Sequence, residues 1–118
     1  MRLTLPNKKL SKLCKYCLDE SKAEKILSLD VKGISSFTDE IIIATANSNR
    51  HASSVSENLI THLKKNNFSI IGVDGEVDSG WMLVDCGDVV INIMKKEQRD
   101  FYDLESLWGN KNLLIKSE

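Results

Sequence analysis

Apolar positions along the chain change their period several times, and each change marks an element. Leu10, Leu13, Cys14, Cys17 and Leu18 recur at helical spacing. They predict an amphipathic first helix that opens near Pro6 or Asn7 and runs to about Lys22, since proline is tolerated in a first turn. Residues 25–31, KILSLDV, alternate apolar and polar side chains and read as a strand. Lys32–Ser36 contains Gly33 and reads as a connector. Residues 40–46, EIIIATA, form a continuous, β-branched apolar run, the pattern of a strand covered on both faces. Asn47, Ser48 and Asn49 then offer caps to a second helix whose Ala52, Val55, Leu59 and Leu63 make one stripe. Lys64 and Lys65 suit its negative end, and Asn66–Asn67 stop it.

Three further strands are predicted: Ser69–Val73, Trp81–Cys86 and Asp88–Met94. The last two reverse at Gly87, where the missing Cβ permits a positive φ. A closing helix is predicted over Lys96–Trp108, with Phe101, Leu104 and Trp108 on a core-facing stripe. Residues 110–118 read as a frayed tail. No repeat, low-complexity tract or Gly/Ser/Pro linker divides residues 1–118. The expectation is one α/β domain, a mixed sheet of about five strands flanked by helices, with its recognisable core at residues 25–109.

Composition narrows the class. The 118 residues are 42% hydrophobic and 28% charged, as in a soluble globular domain. No run approaches the roughly 18 apolar residues that span a bilayer, and the N-terminus lacks the features of a secretory signal. A cytoplasmic protein with reduced thiols and no membrane partner is therefore expected. The net charge of −1 hides an asymmetry. Residues 1–25 hold seven Lys/Arg against three Asp/Glu, which reads as a solvated Lys-rich helix face. Residues 74–108 hold nine carboxylates against three cations, together with both tryptophans. Such a face suits a basic protein partner and repels a nucleic-acid backbone, so sequence-specific nucleic-acid binding is not expected.

Candidate chemistry changes this picture little. Cys14 and Cys17 form a CxxC, but no second CxxC or His pair completes a metal site, and both sit on the apolar stripe of the first helix. They read as small core residues. His51 stands beside Ser48 and Arg50 at a helix start. It reads as a local cap or loop contact, because nothing in the spacing supplies a nucleophile and carboxylate to it. His62 lies off the apolar stripe and reads as solvated. Phosphate-cradling glycine motifs are absent, as is a carboxylate pair one residue apart on a predicted strand. No catalytic residue, cofactor or metal is expected. An anion-favouring helix start at Ser48, Arg50 and His51 keeps a vestigial nucleotide-binding domain as the alternative.

Four segments in order carry a resemblance. They are DVKGISSFTD (residues 30–39), IATANSNRH (43–51), GVDG (72–75) leading to Glu76 and Trp81, and the stretch Trp81–Met94 with YDLESLW (102–108). The chain resembles the ribosomal silencing factor, or Iojap, family over roughly residues 25–109. It departs at Ala46, Asn92 and Ala52, where a glycine, a histidine and a larger apolar residue are usual. The resemblance implies a nucleotidyltransferase-like fold without the catalytic carboxylates. It also implies a translational repressor that binds ribosomal protein fourteen of the large subunit and blocks joining of the small subunit. The protein-binding residues expected are Asp74, Gly75, Glu76, Trp81, Met82, Val84, Asp85, Asp88, Asn92, Met94 and Tyr102.

Each has a plainer reading. Trp81 and Met82 are neighbours on a strand and must face opposite ways, so one could plug the core while the other anchors a partner. Asp85 and Asp88 could serve the Gly87 turn through their own backbone. Tyr102 could be core or contact. Self-association through an exposed hairpin edge is a third reading of the same surface.

Overall fold

A computed structural model describes residues 5–107 and 115–117. The chain runs α1 (Leu5–Glu20), β1 (Glu24–Asp30), β2 (Glu40–Ala46), α2 (Asn49–Lys65), β3 (Gly72–Asp74), β4 (Trp81–Asp85), β5 (Val89–Lys95), α3 (Lys96–Tyr102) and β6 (Ile115–Ser117). The strands form one mixed sheet in the order β3-β4-β5-β2-β1-β6. β2 and β5 are parallel at its centre, and the other neighbours are antiparallel. The expected mixed sheet with flanking helices is therefore present, with one strand more than expected. That strand, Ile115–Ser117, pairs with β1 and replaces part of the expected frayed tail.

Strand alternation divides the core into two layers. Ile42, Ala44, Met82, Val84, Ile91 and Ile93 point to one face, where they pack with Leu10, Cys14, Cys17 and Leu18 of α1 and Ala52, Val55, Leu59 and Leu63 of α2. Leu29, Val31, Ile41, Ile43 and Met94 point to the other face, against which Trp81 and Leu104 pack. β2 is thus apolar on both sides, as its composition requires. Removing a fully enclosed side chain such as Leu59 from this core costs about 2–5 kcal/mol.

Caps follow the sequence. Ser48 Oγ accepts the His51 N–H at 3.0 Å and starts α2. Asn66 N–H returns to the His62 carbonyl at 3.1 Å, and Asn67 takes a φ of 66° at the stop. Between β4 and β5, Gly87 has a φ of 87° and Cys86 N–H donates to Val89 O at 2.9 Å.

Three expectations are corrected. The strand expected at Ser69–Val73 forms a ladder only from Gly72 to Asp74; of the residues before it, Ile71 adds a single bond, its N–H donating to the Asp85 carbonyl at 2.7 Å, while Phe68 and Ile70 pack on the first core layer. The closing helix ends at Tyr102, since Asp103 adopts a left-handed φ of 50°; helical turns resume over residues 104–107. Phe101 consequently points outward, 80% exposed, rather than into a core stripe with Leu104. Trp108, the third member of that expected stripe, lies outside the described residues.

Candidate functional site

The acidic segment folds into a groove of about 680 Å³ between the loop after β3, the start of β4 and the outer face of α3. Its lining is Asp74, Gly75, Ser79, Trp81, Leu83, Glu97, Gln98, Phe101 and Tyr102. Two carboxylates and three aromatic rings are present, and no Lys or Arg lines it.

Trp81 is held from two sides. Its indole Nε1–H donates to Asn92 Oδ1 at 2.9 Å. Leu83 faces Asn92 in the ladder, so Trp81 and Asn92 are diagonal neighbours on one face, within reach of each other's side chains. Asn92 is buried, and this bond gives its oxygen a partner. The other side of Trp81 meets Tyr102, with ring centroids 4.8 Å apart and planes inclined by 51°. Phe101 meets Tyr102 edge-on at 5.0 Å. These are the offset and edge arrangements that aromatic quadrupoles favour.

Two glycines let the 75–80 loop close against this cluster. At Gly75, with a φ of 108°, a Cβ would collide with the Trp81 carbonyl oxygen. At Gly80, with a φ of 75°, it would collide with the Gln98 amide. Between them Ser79 Oγ bridges the Glu76 and Trp81 carbonyls at 2.7 and 2.9 Å and accepts the Trp81 N–H at 3.2 Å.

α3 is anchored from behind by Arg99. This side chain is almost enclosed, yet Nη1 donates to the Lys25 carbonyl and to Thr45 Oγ1, both at 2.7 Å, while Nε and Nη2 meet Glu105 Oε2 at 3.1 and 3.0 Å. A buried guanidinium is tolerable because its donors are answered by a carboxylate and two oxygens. The clamp ties α3 and the 104–107 turn to β1 and β2, and so orients the outward face that carries Glu97, Gln98, Phe101 and Tyr102.

Of the expected contact residues, Asp74, Gly75, Trp81 and Tyr102 meet in the groove, with Glu76 exposed beside it. Asp85 and Asp88 lie at the far end of β4, and Asp85 Oδ1 accepts the Gly87 N–H at 2.8 Å, its turn role. Asp88 is exposed there. Met82, Val84, Asn92 and Met94 are buried and reach no external partner: the first two face the helices, the last two the opposite layer. Trp81 combines both of its readings, packing on the second layer with one edge and lining the groove with the rest. Ser79, Leu83, Glu97, Gln98 and Phe101 were not among the expected contacts. The i, i+1, i+4, i+5 spacing of residues 97, 98, 101 and 102 was the available signal for one outward helix face.

The other candidates are accounted for internally. His51 Nδ1 accepts the Asn47 N–H at 3.0 Å, which leaves Nε2–H to donate to the Ser21 carbonyl at 2.8 Å. It is a loop fastener. His62 Nδ1 lies 2.9 Å from the Asn58 carbonyl. Cys14 and Cys17 are enclosed, and burial pushes both thiols above the usual range, so they are poor nucleophiles. Among the described residues no group of three His, Cys, Asp or Glu could hold a metal, and no helix is long and apolar enough to cross a membrane.

The family model described as "Ribosomal silencing factor during starvation" matches residues 4–118. The chain belongs to the ribosomal silencing factor family. A ribosomal silencing factor of Haemophilus influenzae is 42% identical over 92 residues, covering 78% of this chain and 90% of that one. The family also reaches organelles: the chloroplast Iojap protein of Zea mays is 35% identical over 91 residues, which is 77% of this chain and 40% of that protein. A crystal structure from Chromobacterium violaceum superposes with a TM-score of 0.82 at 37% identity, covering 86% of this chain and 85% of the other. One from Bacillus halodurans gives 0.77 at 32% identity, covering 86% and 94%. Membership carries a ribosome-associated silencing role in translation regulation.

Proposed function

We propose that this silencing factor represses translation by binding ribosomal protein fourteen on the large subunit and standing where the small subunit must dock. The observation that carries this reading is the groove. It joins exposed carboxylates to an aromatic cluster on a rigid sheet edge, and aromatic anchors inside a polar rim are what protein hot spots are made of. A basic partner surface complements its charge and is steered toward it. The mechanism needs no bond-making, only occupancy.

Subunit reassociation followed by light scattering tests the reading. Pre-incubating free large subunits with the protein lowers the yield of joined ribosomes, and adding it only after joining is complete lowers it less. An unchanged yield in both orders removes the proposal. The nucleotide-binding alternative is less favoured, because Ser48 Oγ and both ring nitrogens of His51 are engaged within the fold. Self-association has a surface of its own at the β3 edge, where Ile71 and Val73 are exposed, and light scattering across concentration reads it.

A further inference from the structure

The groove is specified more narrowly than an acidic patch needs to be. Its walls are aromatic: Trp81 and Tyr102 are locked against one another, and Phe101 stands edge-on at the mouth. Its charged groups are all hydrogen-bond acceptors. Asp74 and Glu97 are exposed carboxylates on opposite sides of it. Gln98 also lines the groove, and its buried Oε1 has no hydrogen-bond partner within the fold. The oxygen lies beside Gly80, whose Cα surface is open to it because no side chain intervenes.

A site with ring faces and two exposed carboxylates selects one kind of side chain. A lysine ammonium is compact and strongly hydrated, and cannot stack. A guanidinium is flat, sheds water more readily, lies over an aromatic face and donates from its edge in several directions at once. We propose that the groove is a receptor for a single arginine side chain presented by the protein partner, lying over the exposed face of Tyr102 beside Trp81 and paired with Glu97 or Asp74. The groove volume is ample for that side chain and some of its flanking backbone. This rests on the binding reading above and names the group that the groove takes.

Two-dimensional NMR of the full chain, titrated with N-acetyl-arginine methylamide, tests it, with the lysine and citrulline analogues as controls. Arginine is expected to give saturable shifts at the Trp81 indole N–H and at the amides of Gly75, Gln98 and Tyr102. Lysine should bind more weakly, and neutral citrulline should leave these signals in place. Tyr102→Ala, at an exposed position, should weaken arginine binding at least about threefold through loss of cation–π contact. Glu97→Gln should weaken it by about two- to fivefold, as for a partly exposed ion pair. Equal shifts with citrulline, shifts scattered over the surface, or none at all would overturn the proposal. Cosedimentation of the same variants with large subunits separates the two layers. If the wild type fails to cosediment, the binding reading falls. If it cosediments but Tyr102→Ala does so equally well and arginine gives no localised shift, only the arginine receptor falls.

Discussion

Single residues in this molecule act by holding other residues still. Asn92 is buried, and its amide oxygen is committed to the Trp81 indole. Asn92→Ala should free that ring: its emission shifts to the red and its accessibility to quencher rises, in a Trp108→Phe background that removes the other tryptophan. Unchanged emission would mean that Tyr102 packing alone fixes the indole. Arg99 holds α3 in the same sense. Arg99→Met deletes four charge-assisted bonds and strands the Lys25 carbonyl and Thr45 hydroxyl. A loss of about 2–3 kcal/mol in urea unfolding is expected, since Glu105 remains partly wet and can rehydrate. Gly75→Ala combines a forbidden φ with a clash at the Trp81 carbonyl, and should cost at least about 2 kcal/mol. A smaller effect in either variant would show the 75–80 loop or α3 to be more compliant than the packing implies.

At the scale of elements, legibility tracked burial. α1, α2 and β2 were readable because their apolar stripes or runs are fully enclosed, and Ser48 announced the α2 cap through its residue type alone. Ser48→Ala should therefore lower stability by about 1 kcal/mol, read by thermal or urea unfolding. Where an element is half-exposed, the same signals misled. Residues 69–73 are rich in β-branched side chains, yet Ile71 and Val73 face solvent and the ladder begins only at Gly72. Phe101 fell on a helical stripe with Leu104, but the helix breaks at Asp103, a non-glycine in the left-handed region, and nothing local flags such a break. The same break turns Phe101 toward the groove. Of the contact residues expected on β4 and β5, Met82 and Val84 lie under the helices for a related reason: strand alternation splits Trp81–Met94 between two faces rather than presenting one surface. The charge asymmetry of residues 74–108 is plain in the sequence; that Asp85 and Asp88 lie apart from the rest, at the far Gly87 turn, needed the fold.

For the whole molecule, titration and charge give two expectations. Burial pushes the Cys86 thiol from 9.0 up to about 11, and Cys14 is raised further in the same direction by the same cause. The folded state keeps these protons to higher pH than the unfolded chain does. Above pH 9 the unfolded state binds fewer protons, so stability falls as pH rises from about 9 toward 11. Urea midpoints across that range read the decline, and Cys86→Ala should flatten part of it. At neutral pH the thiols stay protonated and enclosed, and slow alkylation of Cys14 and Cys17 in the folded state is expected. On the proposed reading the complex forms through a charged surface with an aromatic centre, so its formation should weaken as salt rises while the Trp81 contribution persists. Cosedimentation with free large subunits at low ionic strength puts that claim to its most direct test. The account predicts that the wild type travels with large subunits and not with small ones, and that folded Trp81→Glu stays at the top of the gradient. Equal cosedimentation of that variant, or none by the wild type, would contradict it.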